Sequence, residues 1–290
     1  MVLRLVLVIT FKIGKIMTKL SIIKLTLATV FLSILVGGCS SKTYTFNSGY
    51  KNAMKKNKKI ALISDSCIYH DEVGEDNDYL SIYKSKKSTT LLNDVVKEKL
   101  NKNGLHVNYL ENRIICGLFE KSSKDMKIKI DENSSIQRVN LPYSYQKIED
   151  KKYKKALKNI LLNAHKTALK QGDFEEFFFS DKSIDKSLKI IKDKSQQNKL
   201  LVLINNGTEV SAGKSIGQAV LSTVLTLGLF SSRNVDFIDS YAVLIDLEEK
   251  KVLWRSEVRL KKVSLFDFDK DWYEDEYYNK VLKPLVDNLK

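Results

Sequence analysis

Two short apolar runs with an amphipathic helix pattern between them constrain the fold of this chain more than any other feature. The first run is KIALISD (residues 59–65) and the second is LHVNYL (residues 105–110). An acidic loop is predicted between Cys67 and Lys87, and a helix after it, capped by Ser88 or Thr89 and ended by Gly104. Its apolar face consists of Leu91, Leu92, Val95, Val96 and Leu100. A strand, helix, strand unit normally places its two strands parallel in one sheet.

The rest of the chain adds helices and a hairpin. Lysine-rich helices are predicted over residues 147–171 and 184–197, a buried strand over 200–206, and a closing helix over 273–289. Two strands within residues 241–260 are joined by a turn near Glu249 and Lys250. The predicted fold class is therefore α/β, with a mixed sheet that is parallel at first, a C-terminal antiparallel hairpin, and helices packed on it.

The length allows a sizeable core, because the chain has 290 residues of which 43% are hydrophobic. We predict a single α/β domain over residues 58–290, with a helical insertion around residues 119–198.

The hairpin carries a family resemblance. YAVLID (residues 241–246), a charged turn and VLWR (residues 252–255) resemble the C-terminal hairpin of bacterial envelope lipoproteins. These include relatives of the curli secretion channel subunit, whose cores are similar to the amino-terminal domain of the Tol-Pal propeller protein. The resemblance covers residues 58–110 and 200–290 and implies an α/β core without catalytic residues. Trp254 is then either a core aromatic at a strand end or a contact residue.

The first 38 residues form a separate segment. They contain no acid, and their apolar stretches are flanked by five basic residues, Arg4, Lys12, Lys15, Lys19 and Lys24. This is the layout of an export signal peptide. Met17 opens a tighter unit of the same kind, so we predict that translation starts there; a two-part membrane anchor is the alternative. Neither apolar half reaches the roughly 20 residues of a spanning helix without a lysine.

The signal ends in Val36, Gly37, Gly38 and Cys39, which resembles the lipobox of bacterial lipoproteins. In that family the cysteine thiol takes a diacylglycerol and cleavage exposes an amine that takes a third acyl chain, commonly palmitate. The resemblance implies that Cys39 is the lipid attachment site. Ser40 in place of an aspartate implies the periplasmic side of the outer membrane. Residues 39–57 would form a lipidated tether. The alternative is a buried free cysteine at the end of a core helix.

Two further cysteines, Cys67 and Cys116, would lie in an oxidising compartment. Both follow predicted strand ends, where neighbouring parallel strands would bring them close, so one disulfide is a candidate. Ordinary burial is the alternative, because Ile114, Ile115 and Cys116 also have the pattern of a buried strand. Neither cysteine has a histidine or second cysteine at ligand spacing, so we predict no metal site, catalytic thiol or cofactor.

The segment AGKSIGQAVLSTVLTLGLF (residues 212–230) is uncharged from Ile216 onwards. Gly213 and Gly217 have the spacing that permits close helix contact, and about 15 uncharged residues fall short of a full membrane span. The segment is either a buried core helix or an element that enters a membrane or meets a partner subunit. The candidate contact residues are Gly213, Gly217, Leu221 and Leu225.

Nucleotide and calcium motifs fail on their spacing. NGTEVSAGKS (residues 206–215) has five residues between its first and second glycines, where a phosphate-binding loop needs four. Aspartates alternate at 267, 269 and 271 as in a calcium loop, but Trp272 replaces the required glycine and the twelfth position is Tyr278. We therefore predict no nucleotide or calcium site, and we predict solvated loops at the two acidic clusters, residues 70–78 and 266–276.

An enzyme is not expected. His70, His106 and His165 fall on separate elements without a nearby nucleophile, so no triad can be assembled. A hydrolase would need paired carboxylates in one cleft, for which Asp246 and the acidic residues 266–276 are the candidates.

The formal net charge of +14 includes the five basic residues of the first 38, so residues 39–290 carry +9. A basic surface can lie against anionic headgroups, while nucleic acid is not expected outside the cytoplasm. We expect a lipid-anchored periplasmic lipoprotein of the outer membrane, acting without catalysis in a cell-envelope assembly or secretion complex. Its partners would be the membrane and either further copies of itself or an envelope protein. The alternative is a small-ligand or glycan binding module, with a pocket between sheet and helices.

Overall fold

The computed structural model describes residues 43–71, 78–117, 127–138, 143–144, 146–169, 178–179, 181–210, 237–261 and 273–288. These ranges all belong to one compact unit, Lys42–Lys290. The predictions made above for residues 1–42, 212–230 and 266–272 lie outside the described residues.

The described chain alternates strands and helices. Its strands are β1 (Thr43–Phe46), β2 (Lys59–Asp71), β3 (Tyr79–Ser81), β4 (His106–Glu111), β5 (Ile114–Ile115), β6 (Lys127–Lys129), β7 (Gln137–Arg138), β8 (Tyr143–Ser144), β9 (Lys199–Val210), β10 (Phe237–Asp246) and β11 (Lys251–Lys261). Its helices are α1 (Tyr50–Lys56), α2 (Ile82–Lys102), α3 (Lys151–Leu169), α4 (Lys182–Ser195), the π-helical segment π1 (Tyr273–Leu282) and α5 (Lys283–Asp287).

The main sheet is mixed. Its order is β1-β11-β10-β9-β2-β3-β6-β7, and β4 also pairs with β2. β2 is parallel to β9 over its length and to β4 near its start, and it is antiparallel to β3 near its end. β9, β10 and β11 form antiparallel pairs, and β5 and β8 form a small second antiparallel sheet. The predicted α/β fold class, with a parallel start and a C-terminal hairpin, is confirmed.

Successive residues of the central strands face two helical layers, as the pleat of a strand requires. Ile60 and Leu62 pack with α1, α2, π1 and α5 on one face. Ala61 and Ile63 pack with α3 and α4 on the other face. Both faces of the sheet are therefore covered by helices. Within the described ranges, no helix has the length and apolar character needed to cross a membrane.

The prediction of a tether over residues 39–57 is wrong for the part that the structure describes. β1 pairs with the edge of β11, with Thr43 opposite Glu257. The apolar side of α1, including Tyr50 and Met54, is buried, and Tyr50 Oη donates a hydrogen bond to Leu285 O at 2.5 Å. Lysines between these apolar residues make the amphipathic pattern of α1 difficult to recognise in the sequence.

The predicted start of α2 is also wrong. The helix begins at Ile82, and the side chain of Ser81 caps it by accepting a hydrogen bond from Lys84 N at 3.4 Å. Ser88 and Thr89, the predicted caps, are buried inside the helix. The buried side of its first two turns consists largely of small hydroxyl residues, namely Ser85, Ser88 and Thr89. The apolar helix pattern in the sequence therefore begins only after them.

Part of the predicted acidic loop is strand, because β2 continues to Asp71 and β3 pairs with its end. The polar residues Ser64, Asp65 and Ser66 are buried in the middle of β2. A buried strand is usually apolar, so three polar residues in a row look like the end of the strand in the sequence.

Candidate functional site at the carboxyl ends of the central strands

The structure describes two of the site residues predicted from the sequence. Cys67 and Cys116 are joined by a disulfide, with their Cα atoms 4.8 Å apart. Cys67 lies within β2, and Cys116 follows β5 in a left-handed conformation, with a φ of 59°. The other predicted site residues are outside the described ranges, namely Cys39, Gly213, Gly217, Leu221 and Leu225.

Asp65 in β2 binds the turn after β5, which contains Cys116 and Gly117. Its buried carboxylate accepts hydrogen bonds from the backbone N–H groups of Cys116 at 2.9 Å and Gly117 at 2.8 Å. A Cβ at Gly117 would lie 2.6 Å from Cδ1 of Leu161, so a side chain there would require the Leu161 side chain to move. A covalent bond and two hydrogen bonds to a carboxylate thus hold the chain after β5 against the central strand.

Burial raises the pKa of Asp65 to about 7, although the N–H groups of Gly117 and Cys116 act in the opposite direction. The folded protein therefore holds this proton more tightly than the unfolded chain, whose aspartates have a pKa near 3.8. The resulting stabilisation is complete below the unfolded value and is lost as the pH rises through about 7.

We expect the free energy of unfolding to fall between about pH 4 and pH 7 more steeply in the native protein than in Asp65→Asn. A difference of one bound proton between the folded and unfolded states changes the free energy of unfolding by at most about 1.4 kcal/mol per pH unit. Urea unfolding across this range measures both slopes. Carboxyl groups with a lowered pKa, such as Glu111 and Asp181, contribute to both proteins and cancel in the difference. Equal slopes would contradict the raised pKa.

A second buried acid lies further along the sheet, near the carboxyl ends of β2 and β9. Glu209 in β9 forms an ion pair with Nζ of Lys84 in α2, and its Oε2 is 3.3 Å from Nδ1 of His70 in β2. The strand register places His70 directly beside Glu209, and the His70 ring stacks on Tyr79 at 4.9 Å. Groups from four elements, β2, β3, β9 and α2, therefore meet near the carboxyl ends of the parallel strands β2 and β9, where α/β sheets commonly bind ligands.

A row of buried polar side chains lies beneath this end. The register aligns Ser66, Asn205 and Ser240 across β2, β9 and β10. Ser240 Oγ donates to Tyr277 Oη at 3.2 Å. Within the described part of the chain, neither side-chain atom of Asn205 has a hydrogen-bond partner. An unpaired buried amide costs about 1–3 kcal/mol, so Asn205 is held in this row at a cost in stability.

The sequence analysis missed this polar row and the pairing of His70 with Glu209. The available signal was a run of consecutive polar residues directly after an apolar run, in ISDS (residues 63–66) and INN (residues 204–206). Because these residues follow apolar runs, they resemble strand ends, and only the register shows that they are neighbours.

Another buried carboxylate, Glu111 at the end of β4, attaches α3 to the sheet edge. Its Oε2 accepts a hydrogen bond from Tyr153 Oη at 2.7 Å, and its Oε1 accepts one from Arg113 Nε at 2.9 Å. Burial disfavours the charged form of Glu111, but these hydrogen bonds outweigh it, so its pKa is lowered. The group is held as a structural anion.

Asp246, the first candidate for a hydrolytic pair, lies at the opposite end of the sheet. Its Oδ2 is 3.3 Å from Nζ of Lys199, and its Oδ1 accepts hydrogen bonds from the N–H groups of Glu248 and Glu249 at 3.0 Å. Asp246 therefore shapes the turn between β10 and β11. Two acids of the other candidate cluster pair with lysines, Glu274 with Lys99 and Glu276 with Lys280.

The three histidines lie on separate elements, His70 on β2, His106 on β4 and His165 on α3. His165 packs edge-on against Tyr241 at 4.4 Å, and burial lowers its pKa. Among the residues that the structure describes, no group of three or more histidines, cysteines and acids could hold a metal ion.

Comparison with known proteins adds little to this geometry. No family model matches the chain, and no curated protein matches it. Among solved structures, the chain is similar to a dodecamer of a PelC point variant from Paraburkholderia phytofirmans, with 7% identity and a TM-score of 0.27. The alignment covers 79% of this chain and 86% of that chain. At so low a TM-score, neither the fold nor the assembly of that protein is carried over.

Proposed function

We propose that this chain is a lipid-anchored lipoprotein on the periplasmic side of the outer membrane, and a non-enzymatic component of a cell-envelope assembly or secretion complex. Residues 36–39 supply the cleavage and acylation motif. The disulfide between Cys67 and Cys116 supports export, because disulfides persist in oxidising compartments.

The direction of β1 is the observation that carries this proposal. β1 is antiparallel to β11, with Thr43 opposite Glu257, so the chain enters β1 from the end where β2 and β9 finish. Thr43 follows Cys39 by four residues, which span at most about 14 Å when fully extended. A lipid on Cys39 would therefore lie on the side of this end of the sheet and not on the side of the opposite end.

The apolar segment of residues 212–230 is attached at the same end. Val210 ends β9 and Phe237 begins β10, where Phe237 pairs with Thr208. Helices already cover both faces of the sheet. We therefore favour contact with the membrane or with a neighbouring subunit over a buried core helix. The proposed contact residues are Gly213, Gly217, Leu221 and Leu225.

Cys39→Ala is expected to abolish acylation and to remove the protein from the outer-membrane fraction. Each acyl chain contributes about 0.8 kcal/mol per buried methylene, and stable anchoring needs two such chains or a second attachment. Intact mass and membrane fractionation of the native protein, of Cys39→Ala and of the control Ser41→Ala test this.

The native mass should begin at Cys39 and include acyl chains, and Ser41→Ala should behave like the native protein. A native protein that retains its signal, together with an alanine variant that fractionates identically, would overturn the lipid anchor.

Sizing of the native protein in detergent separates the two kinds of contact. A subunit contact predicts an oligomer that Leu221→Asp and Leu225→Asp reduce to a monomer, because a charge is costly in an apolar interface. A membrane contact predicts a monomer in detergent and weaker membrane binding of the two variants. If both variants match the native protein in size and in membrane binding, the contact role of this segment is wrong.

A further inference from the structure

The net positive charge of residues 39–290 is concentrated on the helices α3 and α4. α3 and α4 together carry eleven lysines and two aspartates, a net charge of +9. Residues 39–290 as a whole also carry +9, because the chain total of +14 includes five basic residues before Cys39. All other residues of that region therefore sum to zero. A general preference for lysine would not place the entire excess on two helices.

The two helices pack side by side. Their inner sides, including Ile160 and Ile191, belong to one core cluster with the sheet. On the outer side, Asn159 Nδ2 in α3 donates a hydrogen bond to Ser187 Oγ in α4 at 3.3 Å. Between them the outer sides enclose a groove of about 230 Å³. The lysine-rich surface therefore has a concave centre.

Three lysines surround this groove, Lys152 and Lys155 from α3 and Lys186 from α4. All three are exposed, and none of them forms an ion pair within the described part of the chain. Asn159, Ser183 and Ser187 add amide and hydroxyl groups to the lining. The groove thus combines unneutralised positive charge and neutral hydrogen-bonding groups with the apolar side chains of Ala156 and Ile190.

Several lysines elsewhere in the fold are neutralised by a neighbour. Lys84 pairs with Glu209, and Lys199 pairs with Asp246. Ammonium groups around one groove repel each other instead, and a bound anion would remove that repulsion. The groove therefore favours a ligand with more than one negative charge or with several acceptor oxygens.

We propose that the groove between α3 and α4 binds a phosphate group. Lysine ammonium groups bind phosphate as point charges, and the Ser183 hydroxyl and the second amide hydrogen of Asn159 can donate to its remaining oxygens. Ser187 Oγ already donates to Ser183 O at 3.1 Å. Asp181 already accepts the hydrogen bond of Ser183 N at 2.7 Å at the start of α4. Recognition therefore depends on the side chains of the groove and not on the helix terminus. A lipid headgroup and a soluble compound are the two sources of such a phosphate, and the probes below distinguish them.

Calorimetric titration of the detergent-solubilised native protein tests this with three probes. Dihexanoyl phosphatidylglycerol and inorganic phosphate represent the two sources, and zwitterionic dihexanoyl phosphatidylcholine is the control probe. Binding of phosphatidylglycerol without inorganic phosphate identifies a lipid headgroup as the ligand. Binding of both shows that a phosphate group suffices. Both results support the site, provided that the variants below behave as expected.

The matched variants separate the groove from general charge. Lys152→Gln/Lys155→Gln/Lys186→Gln should weaken binding by about tenfold, since three charge contacts are lost. Lys51→Gln/Lys55→Gln/Lys97→Gln removes the same charge from exposed positions on α1 and α2, on the other face of the sheet. This control should change affinity by less than about twofold.

Equal weakening by both variants, or no binding of either anionic probe, would overturn the proposal. Unchanged circular dichroism of both variants would show that the exposed substitutions leave the fold intact. The titration does not depend on acylation of Cys39, so its failure is distinguishable from failure of the lipid anchor.

Discussion

Removal of the disulfide between Cys67 and Cys116 is expected to lower the free energy of unfolding by about 4 kcal/mol. The bond joins residues that are 49 positions apart. Without it, the unfolded chain gains the conformational freedom of a segment that includes α2 and β4, which accounts for the loss in the chain-entropy description. The native turn retains its two hydrogen bonds to Asp65, so we expect the fold to survive.

Urea unfolding of Cys67→Ala/Cys116→Ala beside the native protein measures this loss. The native protein in the presence of a reductant should unfold at the same urea concentration as the double variant, and the reductant should not affect the variant. A loss of less than about 1 kcal/mol, which is typical of an ordinary substitution, would show that the cross-link does not restrict the unfolded chain as expected.

Elements with a sustained apolar pattern could be predicted from the sequence. The runs at residues 59–65 and 200–206 lie in β2 and β9, whose residues are buried on both faces because helices cover both sides of the sheet. The predicted bounds of both lysine-rich helices agree with α3 and α4 to within a few residues. The predicted turn near Lys250 is also present, and this residue has a φ of 52°.

β1 and α1 could not be predicted, because their stability comes from distant partners. β1 is a strand through its pairing with β11, far along the sequence. The apolar side of α1 is short and interrupted by lysines, so Tyr50 and Met54 become recognisable as core residues only when β11 and α5 lie beside them. Short local patterns are weak when tertiary contacts supply most of the stability.

The candidate sites depend on packing even more strongly. Ser66, Asn205 and Ser240 are neighbours through the register of three strands. The lysine excess was visible in the sequence, but the sequence alone does not show that two helices share one groove. The sequence predicts which residues are unusual, and the sheet and helix packing determine which of them meet.

Trp254→Ala is expected to lower the free energy of unfolding by about 3–5 kcal/mol, because it removes the largest buried side chain from the core between the sheet and the layer of α1, α2, π1 and α5. The indole ring is fully buried, and its centroid is 6.4 Å from that of Phe46 in the edge strand β1. Trp254→Phe should cost only about 1 kcal/mol, since Nε1 has no hydrogen-bond partner among the described residues and an aromatic ring is retained.

Urea unfolding followed by circular dichroism compares both variants with the native protein, because the second tryptophan, Trp272, complicates fluorescence. A large loss for alanine and a small one for phenylalanine agree with a core aromatic whose volume matters more than its N–H group. If Trp254→Ala leaves stability unchanged but alters the size of the protein in detergent, Trp254 is a contact residue, the other role that the hairpin resemblance allowed. The complete burial of the ring favours the first result.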